Sequence, residues 1–175
     1  MEELNIPQLT NISKQETIKK VENWLKNLGL EISTKDLERP WGAFWHIKPE
    51  KINLFLSLFF PKVKEEIKLD ISPKILLISP KERLSWQYHQ RRNEVWKILN
   101  PVGILLNDTD DIPSEEQIET KNQGEIAKIP AKKRHRAIGL ENNYGLIAEI
   151  WEHLNSNDPS NEEDVIRVQD KYGRN

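Results

Sequence analysis

From Lys74 onward the chain is cut into short β-favouring runs, each too brief for a globular helix. They are ILLIS 75–79, LSWQYHQ 84–90, EVWKIL 94–99, VGILLN 102–107, GEIAKI 124–129, HRAIGL 135–140, YGLIAEIW 144–151 and VIRVQD 165–170. Turn-forming stretches separate them: SPKER, NPVG, NDTDDIPSEE, PAKK and ENN. Closely spaced short strands without intervening helical segments predict an antiparallel sandwich or barrel and argue against a parallel sheet. The polar stretch SNDPSNEED, 156–164, predicts a surface loop before a last strand.

The N-terminal part has a different texture. Ser13 and Glu16 form an S-x-x-E capping box, and Ile18, Val21, Leu25 and Leu28 follow a helical period. Gly29 stands where a glycine ends a helix, so 13–28 is expected to be a docked amphipathic helix. It would cover the barrel or lie at a dimer interface. Residues 50–59 have helical spacing at Ile52, Phe55, Leu56 and Phe59, with Pro49 suited to a first turn and Pro61 to a stop. The alternation of Leu54, Leu56, Leu58 and Phe60 fits a strand as well.

Bulk composition excludes some function classes. A formal net charge of −2 excludes a globally basic nucleic-acid binder. The absence of cysteine excludes disulfides, thiolate metal sites and a Cys nucleophile. MEELNIPQLT lacks the basic-then-apolar pattern of a secretory signal. The longest apolar run, INLFLSLFF, is far short of the ~20 residues of a bilayer span. A cytoplasmic protein with no membrane and no nucleic-acid partner is expected.

LSWQYHQRRNEVW, 84–96, carries the chemistry. As a strand it places Gln87 and His89 on one face, with Trp86 and Tyr88 on the other. QRRN could turn the chain so that a hairpin returns Glu94 beside the pair. An amide oxygen, an imidazole and a carboxylate can all ligate a divalent ion. His135, in IPAKKRHRAIGL, is the best candidate for a further ligand.

With RPWG 39–42 and EDVIRVQDKYGR 163–174, these segments resemble, in order, the motifs of the type II phosphomannose isomerase group of cupins. They are also similar to small bacterial cupins labelled sugar-phosphate or phosphoheptose isomerases. The resemblance covers about residues 37–174. It implies a mainly β, single-cupin fold, an antiparallel jelly-roll barrel over 37–175, with a helical extension over 1–36. It places Gln87, His89, Glu94 and His135 on the metal-ligand positions. Three departures accompany it. Arg91 replaces the second histidine of H-x-H, Ala131-Lys132 replaces the P-G of the second motif, and 48–73 does not read as a short strand pair.

The implied activity is metal-dependent aldose–ketose isomerisation of a phosphorylated sugar through an enediolate. One divalent ion would serve, zinc first, with manganese, iron, nickel or cobalt as alternatives. Arg167 would stabilise the oxyanion or contact phosphate, and Glu152 and Lys81 are candidates for the proton-transfer base. The cluster Lys128, Lys132, Lys133, Arg134 and Arg136 reads as an anion site or as a solvated hairpin end. His46 reads as structural and His153 as a solvated loop residue. Trp41 and Trp96 read as core. Cupins commonly pair, so a homodimer is expected. Rival readings are a non-catalytic sugar-binding or regulatory cupin, and another metal-dependent cupin enzyme.

Overall fold

The computed structural model describes residues 4–65 and 67–174. The chain runs α1 Lys14–Asn27, β1 Ile32–Asp36, β2 Gly42–Ile47, a 3-10 turn Pro49–Lys51, α2 Ile52–Phe59, β3 Ile71–Ile78, β4 Trp86–Tyr88 and β5 Arg92–Asn100. It continues through β6 Val102–Asn107, β7 Glu119–Lys121, β8 Ile126–Ile129, β9 Arg134–Ile138, β10 Gly145–His153 and β11 Ile166–Gln169. One sheet has the order β1-β2-β3-β10-β5-β8 and the other β11-β4-β9-β6-β7, and every pairing is antiparallel. The two sheets form the jelly-roll barrel of the cupin fold.

The larger sheet is covered on both faces, which is why ILLIS and YGLIAEIW read as continuous apolar runs. Alternate residues separate cleanly. Ile75 and Leu77 of β3, Leu146, Ala148 and Ile150 of β10, and Val95 and Leu99 of β5 face an outer core. Leu76, Ile78, Ile147, Trp96 and Ile98 face the barrel interior. The outer core is completed by Val21 and Leu25 of α1 and by Phe55, Leu56 and Phe59 of α2. The helices therefore lie against the back of this sheet. The capping box forms as expected, with Glu16 N donating to Ser13 Oγ at 3.2 Å and Ser13 N to Glu16 Oε2 at 3.0 Å. Glu22 accepts hydrogen bonds from Trp45 Nε1 and Lys35 Nζ, tying α1 to β2 and β1.

Residues 52–59 are helical, because their Phe55, Leu56 and Phe59 stripe has an apolar sheet face to cover. The glycine of RPWG has a steric cause. A Cβ at Gly42, whose φ is +151°, would stand 1.8 Å from the Leu77 carbonyl oxygen. Among the described residues, no helix is long and apolar enough to cross a membrane.

One local expectation is corrected. β4 and β5 do not form a hairpin: β4 pairs with β9 and β11, while β5 pairs with β8 and β10. The turn at 89–91 is a corner where the chain passes from one sheet to the other. Asp164 holds it, accepting from Gln90 N through Oδ1 and from Arg91 N through Oδ2, both at 3.0 Å.

Candidate metal centre

The corner delivers Gln87 and His89 from one sheet and Glu94 from the other to a single point inside the barrel. His135 arrives from β9, in register with Gln87. His89, Glu94 and His135 are 2%, 2% and 1% exposed, and their ligand atoms all lie within 4.8 Å of one another. Glu94 spans the two imidazoles, with Oε1 3.1 Å from His89 Nε2 and Oε2 3.3 Å from His135 Nε2.

Both rings are oriented from behind. Nδ1–H of His89 donates to the Asp164 carbonyl, and Nδ1–H of His135 donates to the Lys133 carbonyl at 2.9 Å. Each Nε2 therefore turns a lone pair inward, the arrangement of a metal-ligating histidine with its outer hydrogen bond in place. Glu94 Oε2 and His135 Nε2 make no hydrogen bond although both are buried. Two such lone pairs facing each other are costly unless a cation lies between them. Gln87 completes the set at the edge, with its amide nitrogen 3.4 Å from His89 Nε2. A half-turn of the amide would bring Oε1 to the same point. Ser85 Oγ, now donating to Gln87 Oε1, could accept from the amide instead. The residues fit a divalent ion with nitrogen and oxygen ligands.

Arg92 reaches the same group. Its Nε donates to Glu94 Oε1 at 2.9 Å and its Nη2 to His89 Nε2 at 3.2 Å. Its plane lies 3.7 Å from the Trp151 ring centroid. Burial by itself would raise the Glu94 pKa. His89, Arg92 and His135 outweigh that and hold it well below the ordinary carboxylate range. Burial pushes the His89 pKa down, against the opposing pull of Glu94.

A second buried carboxyl lies in the same pocket. Glu149 of β10 accepts from Trp96 Nε1 at 2.8 Å and is in register with Lys74 on one side and Trp96 on the other. Burial first, then the negative charge of Glu94, push its pKa up to about 8. It went unnoticed in the sequence because YGLIAEIW reads as an apolar strand. The available signal was a lone carboxylate at an inward position of that strand.

Other residues are redistributed. Arg167 lines the pocket and is in register with Gln87. Trp41 and Trp96 are both buried core and pocket wall. Glu152 lines a separate pocket and accepts from Asn93 Nδ2, while exposed Lys81 pairs with Glu141. Neither belongs to the His89–Glu94–His135 group. Lys133 pairs with Asp108 and Arg134 with Asp110, each at 2.7 Å, outside the pocket. Arg136 is buried and donates to Gln169 Oε1.

His153 is not a solvated loop residue. It ends β10 buried, accepting from Ser160 N through Nδ1 and donating through Nε2 to Ser72 Oγ. His46 contacts Glu162 at 2.9 Å, and the same carboxylate takes Lys74 at 2.6 Å.

Fold and site together define a cupin-fold barrel with a buried His–Glu–His group that could hold a metal ion. No family model matches the chain. It is 25% identical over 159 residues to the xanthan biosynthesis protein XanB of Xanthomonas campestris pv. campestris, covering 90% of this chain and 28% of that one. It is 26% identical over 151 residues to a mannose-1-phosphate guanylyltransferase of Salmonella montevideo, covering 86% and 26%. The chain thus spans about a quarter of the length of these curated relatives. Among solved structures, vicilin from tomato superposes with a TM-score of 0.51 at 14% identity, over 77% of this chain and 35% of that one. The chain has a cupin fold and is distantly similar to proteins of sugar-nucleotide and polysaccharide biosynthesis.

Proposed function

We propose that this chain is a metal-dependent sugar-phosphate aldose–ketose isomerase of the type II phosphomannose isomerase kind. The observation that carries the reading is the pairing of a second buried carboxyl, Glu149, with the His–Glu–His group in one pocket. The distant similarity to proteins named for xanthan biosynthesis and mannose-1-phosphate chemistry supports a sugar-phosphate ligand.

Gln87, His89, Glu94 and His135 would hold the ion, which supplies Lewis-acid stabilisation of charge developing on substrate oxygen. Aldose–ketose isomerisation moves one proton between C1 and C2 and nets no redox change. On this reading Glu149 is the group that takes that proton and returns it. Trp96 fixes its Oε1, which leaves Oε2 as the atom that carries the proton. Arg167, in register with Gln87, faces the developing oxyanion or the phosphate. The cavity beside these groups is about 70 Å³. By that measure a single water needs roughly 10–15 Å³, so the inner chamber suits the reacting end of a sugar and leaves the rest at the mouth.

Arg92 favours a second reading. Its guanidinium already compensates the His89–Glu94 pair, as a non-catalytic sugar-binding cupin would need. Solvent exchange separates the two. Mannose 6-phosphate, fructose 6-phosphate or a heptose phosphate should exchange the migrating proton with deuterated water, and Glu149→Gln should slow this at least about a hundredfold. A sugar phosphate that binds without exchange makes the chain a binding protein.

A further inference from the structure

The cations of the sequence cluster at 128–136 do not line the pocket, yet the pocket is rich in positive charge. Arg39 precedes β2, Arg167 lies on β11 and Arg174 follows it, and all three line the chamber that holds His89 and Glu94. Arg39 is more than 120 positions away from Arg167 and Arg174 in sequence, so the fold has gathered them. Their proximity has an electrical signature. Burial lowers the Arg167 pKa, and the charges of Arg174 and Arg39 lower it further, against Asp170 and Glu162.

Carboxylates stand beside Arg39 and Arg174. Arg39 Nε lies 2.8 Å from Asp36 Oδ2. Arg174 is gripped by Asp170 through Nε at 3.1 Å and Nη2 at 2.5 Å. Asp36 and Asp170 are not among the pocket-lining residues. Asp36 lies beside Arg39 as an ion pair without a hydrogen bond, and Asp170 pins one edge of the Arg174 guanidinium by hydrogen bonds from outside. A guanidinium so held has already lost much of its side-chain freedom to the fold, so a ligand that meets its remaining N–H groups orders less. Lys74 is different, because Glu162 already occupies it inside the pocket.

We propose that Arg39, Arg167 and Arg174 form an anion subsite that takes a phosphate monoester. Three planar forks match the terminal oxygens of a dianion better than they match a single carboxylate. The rest of the ligand, a sugar, is supplied by the isomerase reading on which this assignment rests. The phosphate group can be tested without it.

Inorganic phosphate is the probe, titrated into the full chain and followed by calorimetry and by melting temperature. Saturable binding is expected. Arg39→Gln and Arg174→Gln should each weaken it about tenfold. Lys133→Gln combined with Arg134→Gln, outside the pocket, should leave it unchanged. Melting in the absence of phosphate shows whether each variant is folded. The unmutated protein gives a second measurement: phosphate should slow phenylglyoxal modification of Arg39 and Arg174, read by peptide mass spectrometry. No saturable binding, equal modification rates, or loss of binding only in the Lys133–Arg134 variant would each overturn the subsite.

The two assignments fail separately. Arginine-dependent phosphate binding without proton exchange keeps the subsite and removes the isomerase. Exchange whose KM is unaffected by Arg39→Gln and Arg174→Gln does the reverse.

Discussion

The backbone carbonyl of Asp164 accepts the Nδ1–H of His89, across 75 positions of sequence. That contact fixes the imidazole so that Nε2 faces Glu94. The Asp164 side chain meanwhile accepts from Gln90 N, from Arg91 N and from Ser160 Oγ at 2.7 Å. One residue of the closing segment thus sets both the tautomer of a candidate ligand and the corner that carries it.

Asp164→Ala should therefore destabilise the protein by about 2–4 kcal/mol, because three donors lose a carboxylate at a largely buried corner. Urea unfolding measures this. A loss under about 0.5 kcal/mol, the range of an ordinary surface substitution, would show that the corner holds itself.

Metal binding should depend on the histidine pair. Purified protein is expected to hold about one divalent ion per chain, and His89→Ala with His135→Ala should release it. Elemental analysis of both proteins reads the outcome. Full retention by the double variant would remove the site from this part of the barrel.

Glu149 should make stability fall with pH in metal-free protein. Its folded pKa, pushed up to about 8, lies above the ordinary 4.5 of a glutamate. Between these values the folded protein keeps a proton that the unfolded chain has released. Stability is therefore lost as pH rises through that window, by at most ~1.4 kcal/mol per pH unit. Glu149→Gln keeps an oxygen for Trp96 and carries no such proton. Its stability advantage over the parent should grow from pH 5 to pH 8 in chelator-treated samples, reaching a few kcal/mol. A pH-independent gap would mean that Glu149 titrates normally.

Leu25 on α1 is fully buried in the outer core. Leu25→Ala should cost about 2–5 kcal/mol, the range for a large-to-small change in a packed core. A melting temperature unchanged from the parent would mean that α1 is dispensable to the barrel.

The N-terminal helix was legible in the sequence because a capping box and an apolar stripe are local. The β segments after Lys74 were legible for the same reason, since turn residues and strand runs lie next to each other. The candidate ligands came from ordered short motifs, each within a dozen residues. β1 and β2 were missed: ISTKD has little apolar alternation, and GAFWHI is buried throughout β2 except at His46.

Tertiary structure decided what no local signal carries. It placed β4 and β5 in opposite sheets, because the 89–91 corner is held by Asp164 from the far end of the chain. It decided for helix over strand at 52–59, where local spacing allowed both, because the helical stripe covers an apolar sheet face. It made the strand residue Glu149 a carboxyl of raised pKa, since that depends first on burial and then on the charge of Glu94 one strand away. It moved the positive charge of the pocket from the 128–136 cluster to Arg39, Arg167 and Arg174. Sequence spacing determines periodicity, caps and turns, which act over a few residues. Burial and electrostatics act through space, so the site's chemistry is settled only when distant strands close the barrel.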